Sequence, residues 1–148
     1  MGVRIRELEV DDFERWKPLW EGYLAFYEHP VQQSQINELW ERLLIDDPEL
    51  FCFVAVDDKN QLIGLVHYLY HANTWTVRPK CYLQDLFVSP YARIGGAGRA
   101  LMEAVYGAAM KANAIEVYWN TQEFNSDARV LYDRVGDKTP FIKYRKFL

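Results

Sequence analysis

Hydrophobic positions recur along this chain with two periods, and their order predicts strands and helices in alternation. Residues 3–8 alternate apolar with charged side chains, which predicts a half-buried first strand. Aromatic residues follow at intervals of three and four positions, which places them on one face of a helix: Phe13, Trp16, Trp20, Tyr23 and Tyr27. Apolar residues between positions 36 and 44 have the same spacing and predict a second, shorter helix.

The second half of the chain continues this order with further strands and two more helices. Residues 51–56 and 62–70 flank a polar turn and predict a hairpin, while residues 74–77 and 82–88 are strand-like. The glycine-rich residues 95–98 open an alanine-rich helix. A strand over 115–119, a helix from about 126 to 135 and a last strand over 139–147 follow. This order predicts a single α+β domain over residues 1–148, with a mixed central β-sheet flanked by about four helices.

Composition and charge exclude several classes of protein. Half of the 148 residues are apolar and 16% are aromatic, which is too many for a disordered chain. A net charge of −4 argues against a nucleic-acid partner. No apolar run is long enough to cross a bilayer and no signal-peptide core is present, so we expect a cytoplasmic protein without a membrane partner. Cys52 and Cys81 lie in apolar runs and are expected to be buried, reduced thiols.

The most informative segment is a glycine-rich turn that leads from a strand into a helix at residues 86–99. Unpaired N–H groups and the positive end of the dipole meet at a helix N-terminus, and glycine lets a ligand approach that backbone closely. Such a turn suits a phosphate or pyrophosphate, with Arg93 and Arg99 available for charged contacts. The segment lacks a Gly-Lys-Ser/Thr sequence, and Leu101 stands where a dinucleotide fingerprint needs glycine. An ordinary strand-to-helix connection is the alternative.

The pattern Arg93-x-x-Gly96-x-Gly98 after a strand resembles the acetyl-CoA pyrophosphate loop of the GNAT superfamily of N-acetyltransferases. The superfamily's fifth strand and the helix after it are similar to residues 117–121 and to four side chains downstream: Asn125, Ala128, Leu131 and Tyr132. The element order agrees over nearly the whole chain. Residues 82–88 and 119–144 look closest to diamine acetyltransferases and to the fungal histone-and-polyamine acetyltransferase subgroup.

The resemblance implies an enzyme that transfers an acetyl group from acetyl-CoA, its co-substrate, to a primary amine in a ternary complex without a metal. The implied acceptors are a polyamine, an amino acid or a lysine-bearing peptide, and the alternative is a non-catalytic module that senses acyl-CoA. By this resemblance, the strand before the turn pairs with pantetheine, the turn holds the pyrophosphate and the last helix contacts CoA. The implied acetyl-CoA residues are Leu86, Phe87, Val88, Arg93, Ile94, Gly95, Gly96, Ala97, Gly98, Arg99, Asn125 and Ala128.

Two side chains are implied as catalytic groups. Tyr132 matches the family's general acid, which protonates the departing thiolate, and a core aromatic is its alternative role. Asp85 is the preferred base for the incoming ammonium group, and a solvated or capping aspartate is its alternative role. Gln84 stands where diamine acetyltransferases often carry a second acid, which weakens assignment to polyamines. Glu123 is a second candidate base.

Two remaining features concern metals and assembly. His67 and His71 are roughly 13 Å apart along a strand, too far to share one ion, so His67 is expected to be half-buried instead. After Gly136 the chain has room for one strand, whose unpaired edge would be exposed. We therefore expect a second copy of the chain to cover that edge and give a homodimer.

Overall fold

The computed structural model describes residues 2–92 and 95–148, in which strands and helices alternate. The described strands are β1 (Arg4–Glu7), β2 (Phe51–Val56), β3 (Leu62–His71), β4 (Lys80–Val88) and β5 (Val117–Tyr118). The described helices are α1 (Phe13–Phe26), α2 (Gln33–Leu44), α3 (Ala97–Lys111) and α4 (Ser126–Val135). A short 3-10 helix (Val10–Asp12) leads into α1.

One mixed sheet forms the centre of the fold, with its strands in the order β1-β2-β3-β4-β5. Antiparallel pairings join β1 to β2, β2 to β3 and β3 to β4, whereas β5 lies parallel to β4. This topology confirms the predicted α+β fold with a mixed sheet and four helices.

A separate apolar core covers each face of the sheet, because alternate residues of a strand point to opposite faces. On one face, Trp16 of α1 and Ile36 of α2 pack with Leu65 of β3. On the other face, Leu101 of α3 packs with Val66, the next residue of β3. Both cysteines are buried and free, as the sequence predicts.

A β-bulge interrupts β4 at Gln84. Tyr68 of β3 pairs with Leu83, but its neighbour His67 pairs with Asp85, so Gln84 is the extra residue in this ladder. The bulge reverses the alternation of faces. Leu83 belongs to the core beneath α3, whereas Asp85 lies on the α1 face beside His67.

Strands β4 and β5 separate soon after they meet. Their pairing joins Cys81 to Val117 and Tyr82 to Tyr118, and β4 continues to Val88. Within residues 2–92 and 95–148, β4 has no partner strand on this side beyond Tyr82. Some backbone N–H and C=O groups in the last part of β4 therefore face an opening between the strands.

A buried carboxylate ties β1 to α1. Asp12 is fully buried and accepts hydrogen bonds from Arg6 Nη1 at 2.7 Å, Arg15 Nη2 at 2.6 Å and the Glu9 N–H at 2.8 Å. Desolvation opposes ionisation of Asp12, but these hydrogen bonds and the two guanidinium charges outweigh it and lower the pKa of the carboxyl group.

Two predicted strands are wrong. Residues 139–147 form neither helix nor strand and are exposed throughout, because β5 is only two residues long and Pro140 has no N–H to donate to a ladder. Residues 74–77 form bends, since the Asn73 side chain accepts hydrogen bonds from the N–H groups of Trp75 and Thr76. No described helix combines the length and the apolar character that a membrane span requires.

Candidate active site

Asp85 forms a buried pair with His67 on the α1 face of the sheet. Asp85 Oδ2 lies 3.1 Å from His67 Nδ1, and the two side chains are 13% and 6% exposed. The structure therefore excludes the solvated alternative for Asp85, and it places His67 deeper than the half-buried position expected from the sequence. The role of Asp85 as a proton acceptor stays a prediction.

The aromatic stripe of α1 lies beside this pair. The ring of Trp20 meets His67 edge-on at a centroid distance of 4.8 Å, Trp20 stacks on Tyr23 at 5.0 Å, and Tyr23 lies 4.9 Å from Tyr27. Burial, followed by the negative charge of Asp85, raises the pKa of both Tyr23 and Tyr27. We call Trp20, Tyr23 and Tyr27 the aromatic wall of the site.

Tyr132 lies in α4, on the side of the sheet that α3 covers. Its ring meets Trp119 edge-on at 5.5 Å, and Leu131 and Tyr132 pack beside the core beneath α3. Burial, followed by the proximity of Tyr27, raises the pKa of the Tyr132 hydroxyl.

The glycine turn ends where α3 begins. Gly96 occupies the N-cap in the left-handed conformation (φ +88°), and the first-turn N–H groups of Ala97, Gly98 and Arg99 follow it. Gly98 lies against α4, because a Cβ there would be 3.4 Å from Leu131 Cδ2. Gly95 is exposed.

The structure describes Arg99 of the predicted loop but not Arg93 or Ile94. The Arg99 side chain forms an exposed ion pair with Glu103 at 3.0 Å. Arg93 and Ile94 lie outside the described residues.

The last part of β4 borders both the turn and the helices. Val88 Cγ2 would lie 3.8 Å from a Cβ on Gly98, so the end of β4 meets the start of α3. Leu86 and Val88 pack beside the core beneath α3, whereas Phe87 packs towards α1, where it lies edge-on to Tyr23 at 6.3 Å. The three predicted pantetheine residues are thus brought between the glycine turn and Asp85.

The N-terminus of α4 holds the remaining predicted CoA residues. Asn125 stands at the N-cap, and its side chain makes no capping hydrogen bond within the described chain. Ala128 is half-buried one turn later, on the helix that carries Tyr132. The contact of Asn125 with CoA stays a prediction.

Glu123 and the C-terminal segment border a second opening. A cavity of about 590 Å³ is lined by Tyr132, Glu123, Trp119, Arg129 and residues 136–143, among others. The Glu123 side chain is exposed and its backbone carbonyl accepts a hydrogen bond from Arg129 Nη1 at 2.7 Å. Glu123 therefore shares a cavity with Tyr132 but not with the His67–Asp85 pair.

Sequence reasoning missed the partners of Asp85. The residues of β4 that contact the core beneath α3 are Cys81, Leu83, Leu86 and Val88. The intervals between them are two, three and two residues. The single interval of three is the signal for a bulge, and it would have placed Asp85 on the opposite face from Leu83. Hairpin register would then have placed His67 beside it.

One cluster of possible metal ligands occurs in the described residues, away from the cleft. Oxygen atoms of Glu9, Asp11 and Asp12 lie within 4.8 Å of one another. Asp12 is already held by Arg6 and Arg15, so the cluster serves as the anchor of α1.

Comparison with known proteins defines the class of this fold and site. A family model described as the acetyltransferase (GNAT) family matches residues 5–137. The D-amino-acid N-acetyltransferase HPA3 of Saccharomyces cerevisiae is 32% identical over 145 residues, covering 97% of this chain and 90% of the relative. The chain therefore belongs to the GNAT family of acetyltransferases.

Solved structures agree on the fold. A ribosomal-protein-alanine N-acetyltransferase from Brucella melitensis biovar Abortus 2308 superposes with a TM-score of 0.83 at 20% identity, covering 99% of this chain and 100% of that one. AAC(6')-Iy, in complex with a CoA-containing bisubstrate analogue, gives a TM-score of 0.82 at 22% identity with full coverage of both chains. The predicted family and enzyme class are confirmed.

Proposed function

We propose that the protein transfers the acetyl group of acetyl-CoA to a primary amine, which attacks directly within a ternary complex. The observation that supports this best is the contact between the open edge of β4 and the start of α3. Val88 at the end of β4 meets Gly98, and Asp85 lies three residues before Val88 on the same strand.

The CoA site follows from the same geometry. The diphosphate binds the backbone N–H groups of residues 95–99 at the start of α3, where orphan donors and the helix dipole favour an anion. Pantetheine lies along Leu86, Phe87 and Val88 and forms strand-like hydrogen bonds with their backbone. Arg93 and Ile94 complete the loop, and Asn125 and Ala128 contact CoA from α4. The CoA complex of AAC(6')-Iy, which shares this fold, supports the assignment.

The chemistry needs one base and one acid. A lysine-like ammonium has a reference pKa of about 10.4, so Asp85 accepts a proton from the amine before attack. The amine nitrogen then bonds to the acetyl carbon, and a backbone N–H of Phe87 or Val88 stabilises the oxyanion. As the C–S bond breaks, the nitrogen loses its second proton to water, which leaves the neutral amide. Tyr132 donates its proton to the leaving sulfur. Its raised pKa keeps that proton in place at neutral pH.

The acceptor amine binds between Asp85 and the aromatic wall. The carboxylate attracts an ammonium group, and the faces of Tyr23 and Tyr27 stabilise a cation. Gln84 adds no second charge, which favours an acceptor with one ammonium group near the reaction centre over a diamine held at both ends. The yeast relative is named for D-amino acids, so D-amino acids join polyamines and lysine-bearing peptides as acceptors to test.

A thiol-release assay with purified protein, acetyl-CoA and a panel of amines tests this function. The panel contains D- and L-amino acids, spermidine and a lysine peptide, and we expect turnover with at least one. Tyr132→Phe should lower kcat about 100-fold or more, as loss of a general acid does. Tyr70→Phe is the matched control, because Tyr70 lies in β3 beside Phe51 and away from the cleft. CoA binding without turnover on any amine would support the sensor alternative and refute the enzyme.

We also propose that the enzyme is a homodimer formed through residues 139–148. This segment exposes Phe141, Ile142, Tyr144 and Phe147, each more than 70% accessible, next to the short edge strand β5. A contiguous apolar surface of this kind is typical of a contact surface. Sedimentation equilibrium should give a dimer for the full chain and a monomer when residues 139–148 are removed. A strict monomer at micromolar concentration would contradict the proposal.

A cytoplasmic location is proposed on the cysteines. Cys52 and Cys81 are both free and buried, which suits a reducing compartment. Fractionation of the expressing cell should recover the protein with cytosolic markers.

A further inference from the structure

We propose that His67 is a positioning residue for Asp85: a neutral ring that donates its Nδ1–H to the carboxylate and holds it towards the acceptor amine. This inference rests on the proposed function, since it concerns how the base of that reaction is oriented. No sequence motif predicts the contact between His67 and Asp85, which follows from the register of β3 and β4.

The β4 bulge creates the pairing. Because Gln84 is the extra residue, Asp85 leaves the face of Leu83 and comes opposite His67 on β3. Bulges re-aim side chains next to active sites, and this one moves a carboxylate from the core beneath α3 to the cleft beside α1. Without the bulge, Asp85 would share the apolar face of Leu83 and would lie away from the aromatic wall.

Packing leaves His67 one polar partner. His67 is 5% exposed, and its ring lies against Trp20, at 4.8 Å, and Trp16, at 6.1 Å. Nδ1 lies 3.1 Å from Asp85 Oδ2, whereas Nε2 has no hydrogen-bond partner in residues 2–92 and 95–148. Among these described residues, Asp85 is therefore the only polar contact of the His67 ring.

The surroundings select one protonation state. An ionised carboxylate only accepts, so the proton of the shared hydrogen bond resides on Nδ1. The indole Nε1–H of Trp16 is also buried and unpartnered among the described residues. A second proton on Nε2 would add another buried donor without an acceptor.

A neutral His67 matters for binding the amine. A positive ring 3.1 Å from Asp85 would cancel the charge that attracts the acceptor ammonium group. A neutral ring instead fixes the rotamer of the carboxylate and leaves its net charge available.

Two substitutions separate this role from simple packing. His67→Leu keeps an apolar group of similar size and removes the donor, and we expect kcat to fall about 10- to 100-fold, the scale of a misplaced reacting group. His67→Asn retains an N–H donor near the Nδ1 position and should recover most of that loss. Acetyl-CoA affinity should stay within twofold in both, because the proposed CoA contacts are made by residues 86–88 and 95–99 and not by His67. His71→Leu, on the same strand beside Tyr118, is the matched control.

The direct test is the nitrogen NMR spectrum of the histidine rings in the 15N-labelled full chain, which has three histidines. The signals absent from His67→Asn identify His67. We expect a protonated Nδ1 and an unprotonated Nε2, with both signals shifted in Asp85→Ala. Melting curves confirm that each variant is folded.

The outcomes are distinct. A protonated Nε2, signals unaffected by Asp85→Ala, or a folded His67→Leu with wild-type kcat would each overturn the proposal. Failure of the wild type to acetylate any amine would instead refute the proposed function. In that case an Asp85-dependent Nδ1–H signal would still support the pairing of the two side chains.

Discussion

Replacing Gly96 by alanine tests whether the left-handed N-cap of α3 forms the anion site. Gly96 has φ +88° and ψ 0°, a conformation that costs an L-residue about 1–2 kcal/mol. A Cβ at this position would meet nothing within 4 Å, so backbone strain is the only penalty. Gly95→Ala, at the neighbouring exposed glycine, is a matched control, because a Cβ there also meets nothing within 4 Å.

Comparison of Gly96→Ala with Gly95→Ala isolates the backbone strain at position 96. Both substitutions reduce the entropy of the unfolded chain equally, so their difference in unfolding free energy should be about 1–2 kcal/mol. For a domain of this size that difference corresponds to roughly 2–8 °C in Tm, with Gly96→Ala the less stable. Calorimetric melting of the two proteins side by side measures it.

Binding of acetyl-CoA should follow the same order. If Gly96→Ala relieves its strain by rotating the local peptide, at least one first-turn N–H turns away from the diphosphate. A hydrogen bond to a charged group contributes about 1.5–3 kcal/mol, so Kd should rise about 10- to 100-fold, whereas Gly95→Ala should stay near wild type. Equal Tm values in calorimetric melting, together with equal Kd values in titration calorimetry, would refute the reasoning.

Three further predictions concern stability and buried groups. Asp12→Asn should cost about 3 kcal/mol at pH 7, because it breaks a buried ion pair. Because folding lowers the pKa of Asp12, its contribution to stability is complete above about pH 4 and is lost as pH falls through the folded-state pKa. The difference in unfolding free energy between wild type and Asp12→Asn should therefore shrink in acid. Burial raises the pKa of the Cys81 thiol to about 11 and also raises the pKa of the Cys52 thiol. At pH 8 both thiols of the native protein should therefore react with a disulfide reagent at least about 100-fold more slowly than those of the protein unfolded in guanidinium. Gly136→Ala should destabilise the fold by about 1–3 kcal/mol, because the new Cβ would lie 2.7 Å from Trp119 Cη2.

Each of these has a clear contrary result. A constant stability difference between pH 7 and pH 3 would contradict the buried charge of Asp12. Rapid reaction of either thiol in the native protein would contradict its burial. For Gly136, the control is Gly107→Ala in α3, where a Cβ meets nothing within 4 Å and alanine should stabilise the helix, so equal effects at both glycines would contradict the clash.

The order of elements was predictable from local pattern, because periodicity reports which face of an element is buried. The stripe that contains Trp16 and Trp20 indicated α1, and the apolar runs around residues 57–60 indicated the β2–β3 hairpin. The N-terminus of α3 was also predictable from local sequence, because glycines indicate a turn independently of distant residues.

The rest depended on contacts between distant residues. The β4 bulge depends on the ladder with β3, so the His67–Asp85 pair became visible only with the register of the two strands. The alternation over residues 139–147 predicted a strand, but a strand needs a neighbour, and β5 provides only two residues. Tyr132 was found through its resemblance to a known motif, while its proximity to Tyr27 required the packing of α4.

The most direct test of the account is a crystal structure of the protein with bound CoA. We predict that the diphosphate accepts hydrogen bonds from backbone N–H groups within residues 95–99 and that pantetheine runs along residues 86–88 with its sulfur near Tyr132. Density for CoA that leaves the start of α3 uncovered, or that places the sulfur away from Tyr132, would contradict the proposed site.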